Sequence, residues 1–176
     1  MAFLNQVGLK PIIIHGAGPM LSSELDQRGI KYDFIDGKRV TSHSALMVAE
    51  ELFKQENKKL LQALSANNVD AKPLLSNVFN CSISNKELGL VGDVQSINME
   101  PINKLLNNGC LPIIAPLGIT KDGQIVNINA DIAAVALGKH IQPEKMIFLT
   151  KTYFCLEKYC NDIFTNHIIF IDKFVQ

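Results

Sequence analysis

Hydrophobic residues in this chain gather into short unbroken runs, and stretches with helical spacing separate them. Pro11-Ile12-Ile13-Ile14 is strongly β-branched and ends at His15-Gly16-Ala17-Gly18-Pro19, where the period changes. Leu21, Leu25 and Ile30 then fit a helix with Pro19 in its first turn and Gly29 at its stop. A helix capped by Thr41 or Ser42 carries Leu46, Ala49, Leu52 and Phe53 on one side, and continues through Leu60, Leu61 and Leu64 to about Asn67. Pro101 to Asn108, closed by Gly109, and the Ala-rich Asp131 to Gly138 read as two further helices. Leu111 to Leu117 reads as one buried strand, with Pro112 and Pro116 limiting its ladder bonds. Met146 to Thr150 is a third strand of this kind, and His167 to Ile171 is one more apolar run. Tyr32 to Val40 holds a turn at Asp36-Gly37. Ala71 to Asn98 reads as short strands and turns: Leu74-Leu75, Val78-Phe79 and Leu88 to Val91. Lys121 to Gln124 is a turn leading into Ile125-Val126-Asn127.

Strands alternating with helices over the whole length predict an α/β fold, a three-layer αβα sandwich with a mainly parallel central sheet and right-handed crossovers. Residues 1–176 are read as one domain. Ile12 to Ile14, Ile113 to Ile114 and Ile147 to Leu149 are expected as buried strands.

Bulk properties narrow the function. The chain has 176 residues, 47% of them hydrophobic, and a formal net charge of zero. That is enough to bury a core, and it leaves no basic surface for nucleic acid, so no nucleic-acid partner is expected. The longest apolar runs are too short to cross a bilayer, and Met1 to Lys10 does not read as a secretory signal. Cys81, Cys110, Cys155 and Cys160 form no CxxC pair and do not stand at zinc spacing with His15, His43, His140 or His167. The expectation is reduced thiols in a cytoplasmic protein with no structural metal.

Three segments carry candidate chemistry. His15-Gly16-Ala17-Gly18-Pro19 lies where a strand meets a helix, and free N–H groups at a helix start suit a phosphate or carboxylate. It is neither a Walker A loop nor GxGxxG, since the third glycine position holds Leu21; a plain tight turn is the other reading, and a hydrogen-bonded structural role is the other reading for His15. Gly37-Lys38-Arg39-Val40-Thr41 offers an arginine whose planar fork pairs with a carboxylate, against the reading of a surface arginine. In Val126-Asn127-Ile128-Asn129-Ala130-Asp131 an extended backbone would aim residues 127, 129 and 131 one way, at the end of the strands where open α/β sheets bind ligands. The other reading is an N-cap for the helix at Asp131.

In this order, the segments resemble the amino-acid-kinase family, and within it the N-acetylglutamate kinases. His15 to Thr41 resembles HGxGP followed by G-x-RVT before a helix. Leu88 to Val94, LGLVGDV, is similar to the variant in fungal and bifunctional synthase–kinase proteins. Gly123 to Ala134, GQIVNINADIAA, resembles the family's substrate and catalytic segment, and Lys145 to Thr150 its nucleotide-side strand. The resemblance covers roughly residues 8 to 150. It implies transfer of the γ-phosphoryl group of ATP, with Mg2+, to the side-chain carboxylate of N-acetyl-L-glutamate in arginine biosynthesis. By it Gly16, Ala17 and Gly18 line the cleft through backbone N–H groups, Arg39 holds the substrate α-carboxylate, Asn127 and Asn129 contact the acetylated substrate, and Asp131 orients catalytic lysines. It further implies a homo-oligomer, arginine as a possible regulator, and a cytoplasmic location, mitochondrial in a eukaryote.

The pattern departs from the family at three places. The chain starts after the family's first strand, which carries a lysine. Bulky Lys151-Thr152-Tyr153-Phe154-Cys155 stands where the family has glycines. It ends before the region that supplies a second lysine. The expectation is a chain that binds an acetylated amino acid more readily than ATP and is a poor kinase by itself. The alternative function is a non-catalytic kinase-like domain of an N-acetylglutamate synthase that binds arginine or acetylglutamate. A dinucleotide-binding oxidoreductase is disfavoured by the missing third glycine.

Overall fold

The computed structural model describes Leu4, residues 7–149 and, as backbone, Thr150 and residues 165–172. Strand β1 (Lys10–His15) leads into helix α1 (Gly18–Gln27), and a small hairpin follows, β2 (Phe34–Ile35) and β3 (Lys38–Arg39). Next come the long helix α2 (His43–Ser65), β4 (Ala71–Leu74), β5 (Phe79–Ile83) and β6 (Gly92–Ile97), with one turn of 3-10 helix at Lys86–Leu88. Helix α3 (Glu100–Asn107), β7 (Leu111–Ile114), β8 (Leu117–Thr120), β9 (Ile125–Asn127), α4 (Ala130–Ile141), β10 (Lys145–Thr150) and β11 (Thr165–Asp172) complete the order.

The central sheet has the order β10-β11-β1-β7-β4. β1 pairs with β7, and β7 with β4, in parallel; β11 runs antiparallel to both β1 and β10. Four of its five strands therefore point the same way. Alternation along β1 sorts its side chains onto two faces. Ile12 and Ile14 pack with Ile102 of α3 and with Ala133, Ala134 and Leu137 of α4. Ile13 packs with Ile113 and with Leu64 of α2. Helices thus cover both faces, and the αβα layering read from the sequence stands.

The helix signals were sound. Pro19 lies in the first turn of α1. Its end is closed by two backbone bonds, Gly29 N–H to Asp26 O (3.1 Å) and Ile30 N–H to Leu25 O (2.9 Å), the pairing of a Schellman cap. Ser42 rather than Thr41 caps α2, its Oγ accepting from Ala45 N–H at 3.2 Å.

Two expectations need correction. Leu111 to Leu117 is not one strand. β7 ends at Ile114, and the chain leaves the central sheet through buried Ala115 and Pro116 to enter a second, four-stranded sheet, β6-β5-β8-β9. Proline has no N–H for a ladder, and the Pro116 carbonyl instead accepts from Ile128 N–H at 2.9 Å. The second correction concerns Ile147 to Leu149, which form a strand but are not buried: Phe148 is 38% and Leu149 46% exposed. Among the described residues β10 is the outer strand in the sheet order and pairs only with β11.

Leu88 to Val91 is an irregular strap rather than a strand, and residues 167–171 fall within β11. Lys151-Thr152-Tyr153-Phe154-Cys155, and with it Cys155 and Cys160, lies outside the described residues. No helix among the described residues is long and apolar enough to cross a membrane.

Candidate functional site

The site begins where β1 ends. Gly16 and Ala17 link the strand to α1, and Gly18 is the first residue of the helix. Ala17 is the N-cap but has no side-chain acceptor, so the first N–H groups of α1 are not capped by it. A Cβ placed on Gly18 would meet no atom within 4 Å. The helix start is therefore open, with partial positive charge suited to an anion.

The hairpin β2–β3 lies beside this helix start. Asp36 (φ 49°) and Gly37 (φ 73°) form its turn, and two successive left-handed residues are what a tight type I′ hairpin requires. The turn places Phe34 opposite Arg39 across the hairpin. Arg39 is only 8% exposed. Its Nη2 donates to the Gly18 carbonyl at 3.2 Å and to Ser22 Oγ at 2.7 Å, both on α1. The guanidinium carbon lies 4.3 Å from the ring centroid of Tyr32 and 4.6 Å from that of Phe34, within cation–π range. Nη1 is buried and has no hydrogen-bond partner. Among the described residues no carboxylate forms an ion pair with Arg39. Burial lowers its pKa, with Tyr32 and Asp26 opposing. The guanidinium is thus buried, held through one nitrogen, with donor capacity left unused on the other.

Asn127 joins the same construction through Thr41. Thr41 Oγ1 donates to the Arg39 carbonyl at 3.0 Å, and Asn127 Nδ2 donates to Thr41 Oγ1 at 3.4 Å. The Leu88–Val91 strap binds both from the backbone side. Thr41 N–H donates to Leu88 O (2.9 Å), Leu90 N–H to Thr41 O (2.8 Å), and Asn127 N–H to Leu90 O (2.9 Å). A chain of hydrogen bonds, by way of Thr41, thus connects Gly18, Arg39 and Asn127, which are remote in sequence.

Asn129 and Asp131 stand at the start of α4, two and four residues beyond Asn127. Strand pairing ends at Asn127, Asn129 keeps extended dihedrals (φ −61°, ψ 128°), and Asp131 lies inside α4, so the two-residue alternation does not reach Asp131. Asn129 is the N-cap of α4, and its Oδ1 accepts from Asp131 N–H (2.9 Å) and Ile132 N–H (3.2 Å). Asp131 stands in the first turn of that helix. His15 is fully buried, its Nε2–H donating to Asn57 Oδ1 at 3.0 Å with the ring edge-on to Phe53 at 5.8 Å. Its position is that of a framework residue under the Gly16–Gly18 loop.

Ser22, Tyr32, Phe34 and Asn57 belong to this environment and were not singled out by sequence. The Asp36-Gly37 turn held the one usable signal: a two-residue loop places Phe34 directly across from Arg39. A separate groove of about 680 Å3 opens on the second sheet between Ser82, Gln95, Thr120 and Gln124. It contains none of the site residues named above. No cluster of three or more potential metal ligands occurs among the described residues.

Residues 1–153 match the sequence model of the amino acid kinase family. The chain belongs to that family. A protein of Xanthomonas campestris named acetylglutamate kinase is 44% identical over 153 residues, which is 86% of this chain and 36% of that protein. A mitochondrial bifunctional protein, argC of Dictyostelium discoideum, is 38% identical over 151 residues, 85% of this chain and 18% of its own length. Among solved structures, N-acetylglutamate synthase from Neisseria gonorrhoeae superposes with a TM-score of 0.75 at 23% identity, over 85% of this chain and 36% of the other. At that identity the match speaks to the fold, which is that of the kinase family. The chain spans about a third or less of the length of these relatives.

Proposed function

We propose that residues 1–176 form a domain of the acetylglutamate kinase type, which binds N-acetyl-L-glutamate and serves its phosphorylation on the side-chain carboxylate. The observation that carries this reading is the Arg39 guanidinium: nearly buried, without a carboxylate partner among the described residues, and with Nη1 unsatisfied next to the open start of α1. A substrate α-carboxylate supplies the missing acceptor. Asn127, linked to Arg39 through Thr41, stands ready for the acetylated end. The backbone N–H groups around Gly16, Ala17 and Gly18 suit the oxygens of a transferring phosphoryl group.

MgATP, when bound, supplies that phosphoryl group. Magnesium in such sites is held largely by phosphate oxygens and water, with one or two carboxylates. Asp131, at the start of α4, is assigned to orienting the lysines that neutralise the developing charge. Phosphoryl transfer asks the protein mainly for positioning and electrostatic stabilisation, and an arginine clamp and a helix start supply those.

The test is calorimetric titration of the chain with N-acetyl-L-glutamate. Arg39→Ala removes a charge-assisted pair and is expected to weaken binding by about 2 kcal/mol. Equal affinity of Arg39→Ala and the parent chain would refute the assignment. Tight binding of L-arginine with none of acetylglutamate would favour a regulatory, synthase-type domain. Acyl phosphate formation with MgATP, trapped as the hydroxamate, tests the reaction itself.

A further inference from the structure

The hairpin that carries Arg39 has little to hold it in shape. It consists of two residue pairs, Phe34 with Arg39 and Ile35 with Lys38, and an isolated two-stranded hairpin is marginal in water. Its position therefore depends on its ties to the rest of the molecule. On one side these are the bonds from Arg39 to α1. Lys38 makes the tie on the other side. Neighbours on an extended strand project from opposite faces, so with Arg39 turned to α1, Lys38 turns to the second sheet. There its Nζ donates to Asp93 Oδ1 at 3.1 Å and to Ser84 Oγ at 3.3 Å. Asp93 lies in β6 and Ser84 just past β5, at the end where those two strands pair. Among the described residues, no other side chain from Asp33 to Lys38 has a polar partner outside the hairpin.

We infer that Lys38 is a positioning residue: clamped to Asp93 and Ser84, it braces β3 between the second sheet and α1 and so sets where Arg39 presents its free nitrogen. The inference rests on the reading of Arg39 as the carboxylate anchor. Burial alone would raise the Asp93 carboxyl, but hydrogen bonds from Ser84 and Lys38, with the Lys38 charge, outweigh it and leave it below its usual range. The carboxylate is thus ionised at neutral pH, as the clamp requires. The pair is only partly buried, with 26% of the Lys38 side chain and 45% of the Asp93 side chain exposed, so its effect is modest and sensitive to salt.

The experiment measures N-acetyl-L-glutamate affinity by calorimetry for the parent chain, Lys38→Met, Asp93→Asn, their double variant, Lys38→Arg and Arg39→Ala. Amide hydrogen exchange of residues 34–40 is followed without ligand. Lys38→Met and Asp93→Asn are each expected to weaken binding by about two- to fivefold at low salt. The double variant should be no worse than either single one, and Lys38→Arg should restore affinity. The deficit should shrink in high salt, melting temperature should hold, and exchange should quicken in residues 34–40 alone. Parent-like affinity and exchange in Lys38→Met overturn the inference, as do losses that add in the double variant. Weak binding by Arg39→Ala beside parent-like Lys38→Met sinks this inference alone. Parent-like binding by Arg39→Ala sinks the proposed function instead, and the exchange rates then decide whether the clamp exists.

Discussion

Replacing Gly89 by alanine tests whether the Leu88–Val91 strap organises the site. Gly89 has φ 67° and ψ −127°, a region that side-chain-bearing residues rarely enter, and holding one there costs on the order of 1–3 kcal/mol. A Cβ at this position would also lie 2.5 Å from the Thr41 carbonyl oxygen and 3.3 Å from its carbonyl carbon. Both are backbone atoms, fixed by bonds from Leu90 N–H to Thr41 O and from Thr41 N–H to Leu88 O. No side chain can swing aside, so the strap must move, and such overpacking typically costs about 1–3 kcal/mol more. The sum, about 2–6 kcal/mol, is a large part of the roughly 5–15 kcal/mol of a typical domain. Urea titration should show a midpoint lowered by about 0.7 M or more, with an unchanged slope if only stability has altered; slopes are about 1–3 kcal/mol per molar. Gly18→Ala is the control: its φ is not positive and its Cβ meets nothing within 4 Å, so it should stay within about 0.5 kcal/mol of the parent. A Gly89→Ala chain as stable as that control would refute the strap as a constrained element.

Burial first, and then the charge of Asp93, push the Cys81 thiol up to about 11. The folded protein should therefore leave Cys81 unalkylated by iodoacetamide at neutral pH, and rapid labelling read by peptide mass spectrometry would contradict this. With the folded value above the unfolded one, the Cys81 contribution to stability is complete below the ordinary thiol pKa. It falls away as pH rises toward 11, which thermal melts across that alkaline range can follow. Asn129→Ala removes the side-chain acceptor for two N–H groups of α4 and should cost about 1 kcal/mol, whereas Asn129→Asp should keep the cap; equal stability of the alanine variant and the parent would show that the cap is idle.

The layered fold was legible because its signals are local. Unbroken β-branched runs mark β1 and β7, a proline starts α1, and glycines follow the ends of α1 and α3. The crossing from the central to the second sheet was not legible. Leu111 to Leu117 is apolar throughout and every residue of it is buried, so hydrophobicity carries no mark of the place where the chain changes sheets. Only Pro116, read as a break and not merely as a limit on a ladder, pointed there. The exposure of Phe148 and Leu149 was equally hidden, since an apolar run does not say whether its strand lies in the middle of a sheet or at its side.

At the site, the sequence displays single residues more readily than the relations between them. Arginine in a short segment before a helix is compatible with any surface. Its burial depends on Tyr32 and Phe34, which a sequence displays only if the Asp36-Gly37 turn is followed through to its register. The segment from Asn127 to Asp131 shows where strand alternation gives way to a helix. Residues 127, 129 and 131 share a face only while the backbone stays extended, and helix α4 begins at Ala130. Asn129 then has the cap of α4 for its oxygen, while Asn127 remains on β9 and reaches Thr41. One segment thus passes from a strand end at Asn127, bonded to Thr41, to a helix cap at Asn129 and a helical turn at Asp131, as a two-residue period gives way to a 3.6-residue one.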